Sequence, residues 1–147
     1  MEKDEIPFAE QKKSKGGLVR LANAMRYTCA GLGAALRHEH AFRQELFVFV
    51  PATILVLVAP IGVLCKTALL FPLPLILAFE LLNSAIEAVV DDISPDYREL
   101  AKRAKDLGSA AVFCAMLVGA IIWIGVIFYC IKAGNFDGIC AFFKKTN

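Results

Sequence analysis

The chain has 147 residues, 58% of them hydrophobic, with a net charge of +2 and a mean hydropathy of +0.60. That is the length of one domain; it is more apolar than an ordinary soluble domain and far from the polar composition of a disordered chain. Five cysteines, an odd number spread through apolar stretches without a CxxC, argue against a disulfide framework or a zinc site and read as small apolar packing residues.

Residues 1–17 are polar and end in Gly16-Gly17. No apolar core follows a basic start, so this is not expected to be a signal peptide. It reads as a flexible arm whose Lys12-Lys13-Ser14-Lys15 run is solvated, with no nucleic-acid role. In residues 18–38, Leu18, Leu21, Ala22, Met25, Cys29, Leu32 and Leu36 recur at helical spacing, while Arg20, Asn23, Arg26, Tyr27 and Arg37 take other faces. The stretch is too charged to span a membrane, and an amphipathic helix lying in the interface fits it.

Residues 46–64 carry no charge, and about 20 apolar residues cross the hydrocarbon core of a bilayer. This is a first span, with Pro51 and Pro60 expected to kink it. Cys65-Lys66-Thr67 reads as a tight connection to a second span over 68–90, whose Pro72 and Pro74 stand near its start. Ser94-Pro95-Asp96 has the form of a helix start, with Ser94 as N-cap and Pro95 at the first helical position. A polar helix follows, and Gly108-Ser109 opens a third uncharged run over 110–131. The tail, 132–147, carries no motif. Of the 16 Lys and Arg, eight lie in residues 1–44 and four in 93–107. The excess of positive charge on those segments places the N-terminus and the 91–109 loop in the cytoplasm and the C-terminus outside it. The expected fold is therefore an all-α integral membrane protein with three transmembrane helices and an N-terminal surface helix.

The second span ends in an anomaly. Glu80-Leu-Leu-Asn-Ser-Ala-Ile-Glu-Ala-Val-Val-Asp-Asp92 carries four acids and an amide in an apolar setting, where an unpaired buried charge is expensive. Glu80, Asn83, Ser84, Glu87 and Asp91 share a helical stripe about 100° wide. Glu80 lies thirteen residues from Thr67, or ~20 Å along the axis, and Glu87 ~10 Å further. The stripe thus runs from a depth that lipids reach to one that water-soluble ligands reach. A carboxylate at the lipid end suits proton abstraction from a lipid hydroxyl, and carboxylates at the water end suit a divalent cation. Glu39, Arg43, Gln44 and Glu45 before the first span, and Lys105 and Asp106 before the third, arrive at the same level. Arg98, Lys102 and Lys105 share one helix face suited to phosphate.

Blander readings stand beside these. Glu80 can be a protonated carboxyl bonded to a neighbouring helix, and Asp91-Asp92 can be plain solvation of a helix end. His38-Glu39-His40 suggests a metal site only weakly, because adjacent helical positions point apart. No P-loop, GxGxxG, HExxH or GxSxG is present.

The stretch Glu80-Leu-Leu-Asn-Ser-Ala-Ile-Glu-Ala-Val-Val-Asp91 resembles the signature of the small prokaryotic diacylglycerol kinases, E-x-x-N-S/T-A-x-E-x-x-x-D. Ala41-Phe42-Arg43-Gln44-Glu45 and Arg103-Ala104-Lys105-Asp106-Leu107-Gly108-Ser109-Ala110-Ala111-Val112 are also similar, and the likeness covers roughly 18–131, closer to the Gram-negative type. The resemblance implies a homotrimeric inner-membrane enzyme that moves the γ-phosphate of Mg-ATP to sn-1,2-diacylglycerol, giving phosphatidic acid. By position it implies Glu80 as general base and Glu39 and Glu87 as Mg2+ ligands that also meet ATP. It implies Arg20, Tyr27, Tyr97, Lys105 and Asp106 as nucleotide contacts, and Arg43, Glu45, Glu80, Asn83, Ser84 and Ser109 around the lipid. The turn Ser94-Pro95-Asp96-Tyr97-Arg98 departs from the pattern at Pro95 and Arg98, while Tyr97 fits it.

Three other functions stay open. One is a kinase for another lipid alcohol, undecaprenol above all. A second is a small ion-coupled transporter, although the outer halves of the spans lack the polar path it needs. A third is a non-enzymatic assembly subunit, which gives the acidic stripe no reason to exist.

Overall fold

The computed structural model describes residues 17–93 and 98–132. Its elements are five helices: α1 (Gly17–His38), α2 (His40–Val58), α3 (Val63–Leu70), α4 (Pro72–Ile93) and α5 (Glu99–Lys132), with no strand among the described residues. The chain divides after His38 into two units. The first holds α1 alone, an amphipathic helix whose Arg37 and His38 in the last turn complement its dipole. Its Leu18, Leu21, Met25 and Leu36 are exposed. The arm, the Ser94-Pro95-Asp96 start signal, Tyr97 and the tail lie outside the described residues.

The second unit is built on α4 and α5, which form its main interface, with α3 against α5 and α2 against α3 and α4. His40–Val58, Val63–Ile93 and Glu99–Lys132 are each long and apolar enough to cross a membrane. Phe47, Val58, Leu64, Phe71, Phe113, Ile124 and Phe128 remain largely exposed on them. A surface so apolar suits lipid as its solvent, where helices satisfy every backbone group internally.

The turn between the first two spans differs from the one expected at Cys65-Lys66-Thr67. Pro60 ends α2 rather than kinking it: Ala59, the residue before the proline, adopts φ −60°, ψ 138°, the extended backbone that proline's ring forces on its predecessor. The connection is therefore 59–62, and Cys65, Lys66 and Thr67 are helical. Lys66 instead caps: its Nζ donates to the carbonyl of Leu57 at 2.6 Å, one of the end carbonyls a helix cannot bond itself. Pro51 stands inside α2 without ending it.

A second break separates α3 from α4. Phe71 keeps helical angles, but Pro72 and Pro74 have no N–H to continue the ladder. The carbonyl of Leu69, one of the last in α3 and without an intrahelical partner at the break, is taken by the Trp123 indole, Nε1 donating at 2.9 Å. Nearby, Gly119 of α5 packs so closely that a Cβ there would stand 3.0 Å from Ile76 Cδ1 and 3.4 Å from Pro72 Cβ. Where a third run was expected to open at Gly108, α5 continues unbroken from Glu99. The hydropathy changes there, but the backbone does not.

Trp123→Phe keeps a ring but removes the donor to Leu69, leaving a partly buried acceptor unpaired. It is expected to lower the unfolding free energy by about 1–3 kcal/mol, read by detergent titration; an unshifted midpoint would show that this bond contributes nothing to the junction.

Candidate active site

On α4 the polar stripe grades from buried to wet. Glu80 is 5% exposed and Asn83 9%, Ser84 and Glu87 are half-buried, and Asp91 is exposed. The 3.6-residue period that aligns them also aims them at α2 and α5. Asn83 Nδ2 donates to Glu87 Oε1 at 3.0 Å, one turn along the same helix. Its Oδ1 is buried without a protein partner and faces Gly108 of α5, so closely that a Cβ on Gly108 would collide with it. Only glycine lets α5 approach here.

Helix α2 supplies two more carboxylates. Glu39 is its N-cap residue, half-buried, with no side-chain cap bond of its own. Glu45 is 7% exposed, and neither carboxylate oxygen has a hydrogen-bond partner in the protein. The four acids act on one another: the charges of Glu87 and Glu39 reach Glu80, and that of Glu80 reaches Glu45. Neighbouring carboxylates repel one another, and a cation arriving among them would offset that repulsion. Among the described residues no three His, Cys, Asp or Glu form a ready cage for a metal. Two carboxylates without a cage still match the usual donor set for Mg2+, which completes its shell with phosphate oxygens and water.

Helix α5 brings the cations. Lys105 Nζ donates to Asp91 Oδ1 at 2.9 Å and to Oδ2 at 3.2 Å, and it also feels Glu87. Lys102 donates to Asp106 at 2.7 Å, an exposed pair one turn apart. Ser109 is exposed beside Gly108, and Arg43 is half-buried on α2.

Below the acids lies a cavity of about 610 Å³ between α2, α4 and α5. Its walls are apolar, from Val48 and Phe49 through Ile76, Val112 and Met116 to Pro72, Gly119 and Trp123. Glu45 and Glu80 line it too, eight residues or ~12 Å along α4 from Pro72 in the case of Glu80. An apolar slot that ends in buried carboxylates fits a molecule with an aliphatic body and a polar head.

A model of the prokaryotic diacylglycerol kinase family matches residues 26–127. The chain belongs to that family. The matched stretch contains every candidate site residue except Arg20. The chain is similar to the diacylglycerol kinase of Pseudomonas aeruginosa, 44% identical over 115 residues that cover 76% of this chain and 90% of that one. It is 42% identical over 107 residues to the diacylglycerol kinase of Escherichia coli strain K12, covering 73% and 88%. With the diacylglycerol kinase of Haemophilus influenzae it shares 40% over 116 residues, covering 77% and 96%. A kinase of this family uses ATP as phosphate donor.

Of the residues singled out from the sequence, the structure brings Glu39, Glu45 and Glu87 within electrostatic reach of Glu80, bonds Asn83 to Glu87 and bonds Lys105 to Asp91. Arg20 and Tyr27 lie on α1, in the other unit, and Tyr97 is outside the described residues. Three features escaped the sequence reading. The apolar slot needs three helices and has no local signature. Asp91, read as possible solvation, holds Lys105 fourteen residues away. Gly108, read only as the opening of an uncharged run, is a contact point for Asn83; a glycine inside a helical pattern is the available signal.

Gly108→Ala is expected to destabilise the protein by about 1–3 kcal/mol, the usual cost of overpacking. In an Asn83→Ala background the same change should cost much less. Equal costs in the two backgrounds, measured as a double-mutant cycle, would deny the contact.

Proposed function

We propose that this chain phosphorylates sn-1,2-diacylglycerol from ATP at the cytoplasmic face of the inner membrane, giving phosphatidic acid. The observation that carries the reading is Glu80, buried where the apolar slot meets the water-facing acids. The lipid's acyl chains lie in the slot and its hydroxyl reaches Glu80. The relatives named above are diacylglycerol kinases, which favours this acceptor over undecaprenol.

The chemistry asks for positioning and charge neutralisation more than for covalent help. Glu80 takes the hydroxyl proton as the lipid oxygen attacks the γ-phosphorus, and the bond to the β–γ bridging oxygen breaks to release ADP. Mg2+, held by Glu39 and Glu87, would supply positive charge to the phosphates when bound. Asn83, by donating to Glu87, fixes that carboxylate and keeps its own carbonyl oxygen available. Glu45, without a protein partner, accepts a hydrogen bond from the lipid's polar head, with Arg43, Ser84 and Ser109 around it. Lys105 reaches the nucleotide when Asp91 releases it, with Asp106, Tyr97, Arg20 and Tyr27 as further nucleotide contacts. The surface helix α1 lies in the interface, and three copies assemble so that one subunit's α4 acids meet another's nucleotide contacts. A single three-span chain offers little room to bury four acids, which supports assembly.

A mixed-micelle assay with labelled ATP should show transfer to diacylglycerol in preference to undecaprenol. Glu80→Gln is expected to cost at least about 100-fold in kcat with ATP still bound; near-normal turnover would sink the base assignment. Glu87→Gln should raise the Mg2+ requirement, and an unchanged Mg2+ dependence would argue against ligation there. Mixing Glu80→Gln subunits with Lys105→Ala subunits should restore activity if the site is shared, and no recovery counts against sharing.

A further inference from the structure

Two cysteines outside the site come together at its far end. Cys65 lies in the first turn of α3, and Cys130 lies in the last turn of α5. The helices are packed against each other, and the Trp123–Leu69 bond sets their register. Moving the same way from that bond, Cys65 is one turn off along α3 and Cys130 two turns off along α5. Their side chains face each other across that packing. Cys130 is 2% exposed, while Cys65 is half-buried and open to a reagent. Simple packing explains a buried thiol, but not two thiols facing each other with one of them accessible.

We propose that Cys65 and Cys130 are a dithiol that closes to a disulfide and staples α3 to α5. The oxidant is itself a disulfide, of a small thiol or of a thiol oxidase. Cys65, the accessible thiol, gives up its proton and attacks one sulfur of the oxidant, which releases a first thiolate. Cys130 then loses its proton and attacks the Cys65 sulfur, releasing the second. Two protein thiols are oxidised, the oxidant is reduced to two thiols, and the protons go to the released thiolates. The pair lies twenty-five residues along α5 from Lys105, or ~37 Å. In the orientation proposed above that is the non-cytoplasmic side, where disulfides persist; the location rests on that orientation, the chemistry does not.

The staple has a structural consequence. Helix α3 is only eight residues long and is cut from α4 at Phe71–Pro72. Besides packing, the Trp123 hydrogen bond ties it to α5. A covalent link at Cys65 fixes α3 against α5, on the helix whose Gly119 and Trp123 line the end of the apolar slot.

The test uses the full-length chain, purified reduced in detergent micelles and exposed to oxidised glutathione. Peptide mass spectrometry should find Cys65 joined to Cys130. In a Cys29→Ser, Cys114→Ser, Cys140→Ser background only this pair remains. There, maleimide labelling after denaturation should be lost on oxidation and return with reductant. Cys130→Ser should leave a glutathione adduct standing on Cys65. The oxidised chain should melt higher than the reduced one, with no such shift in Cys65→Ser. Two thiols that stay labelled after oxidation, or a lasting glutathione adduct on Cys65 in the unmutated chain, would overturn the pair. An equal melting temperature for oxidised and reduced chains would overturn the staple. None of these readouts depends on kinase turnover or on membrane orientation.

Discussion

The structure turns on the cost of taking carboxylates out of water. Glu45 and Glu80 sit almost wholly buried on neighbouring helices, each within reach of another acid. In apolar surroundings such a group needs a partner, and the protein supplies none to the Glu45 oxygens. Stability alone gives no reason to put them there, since apolar residues of the same size would pack at lower cost. The packing around them is arranged to keep them close. Gly108 lets α5 approach Asn83, Asn83 holds Glu87, and Asp91 draws Lys105 to the same level. In the proposed function the cation and the lipid's polar head supply the partners that the protein does not.

The far half of the molecule serves the same end by different means. Two proline breaks, at Pro60 and at Pro72, divide the apolar run that links the first two spans. Each leaves carbonyls without intrahelical partners, and each has a side chain that answers it: Lys66 for Leu57, Trp123 for Leu69. Those two bonds let a bent chain exist in a medium that offers no water to satisfy it. Pro72, at the second break, also lines the apolar slot.

Much of this was legible in the sequence. Span number follows from apolar length, a local property. The stripe of Glu80, Asn83, Ser84, Glu87 and Asp91 follows from the helical period, and the structure grades it from dry to wet. The first turn was misplaced because a charge, Lys66, was weighed above the backbone rule at Pro60; a lysine with a long stem can stay helical and reach back to a carbonyl. The uncharged run that opens at Gly108-Ser109 continues the polar stretch before it in one helix, so hydropathy and backbone change independently there. What no local pattern holds is anything made by three helices at once. The slot, the Asn83–Gly108 contact and the Asp91–Lys105 pair are separated in sequence and meet only in the folded chain.

The Asp91–Lys105 pair also sets the terms on which an anion can bind. A carboxylate on a neighbouring helix is a tethered competitor, present at a high effective concentration that no dilution lowers. A phosphate arriving at Lys105 therefore gains only the difference between two ion pairs. Because one anion replaces another, the exchange changes the net charge at that lysine less than binding to a bare cation would. In the proposed function that competition weakens the hold of Lys105 on the spent nucleotide as much as on the incoming one.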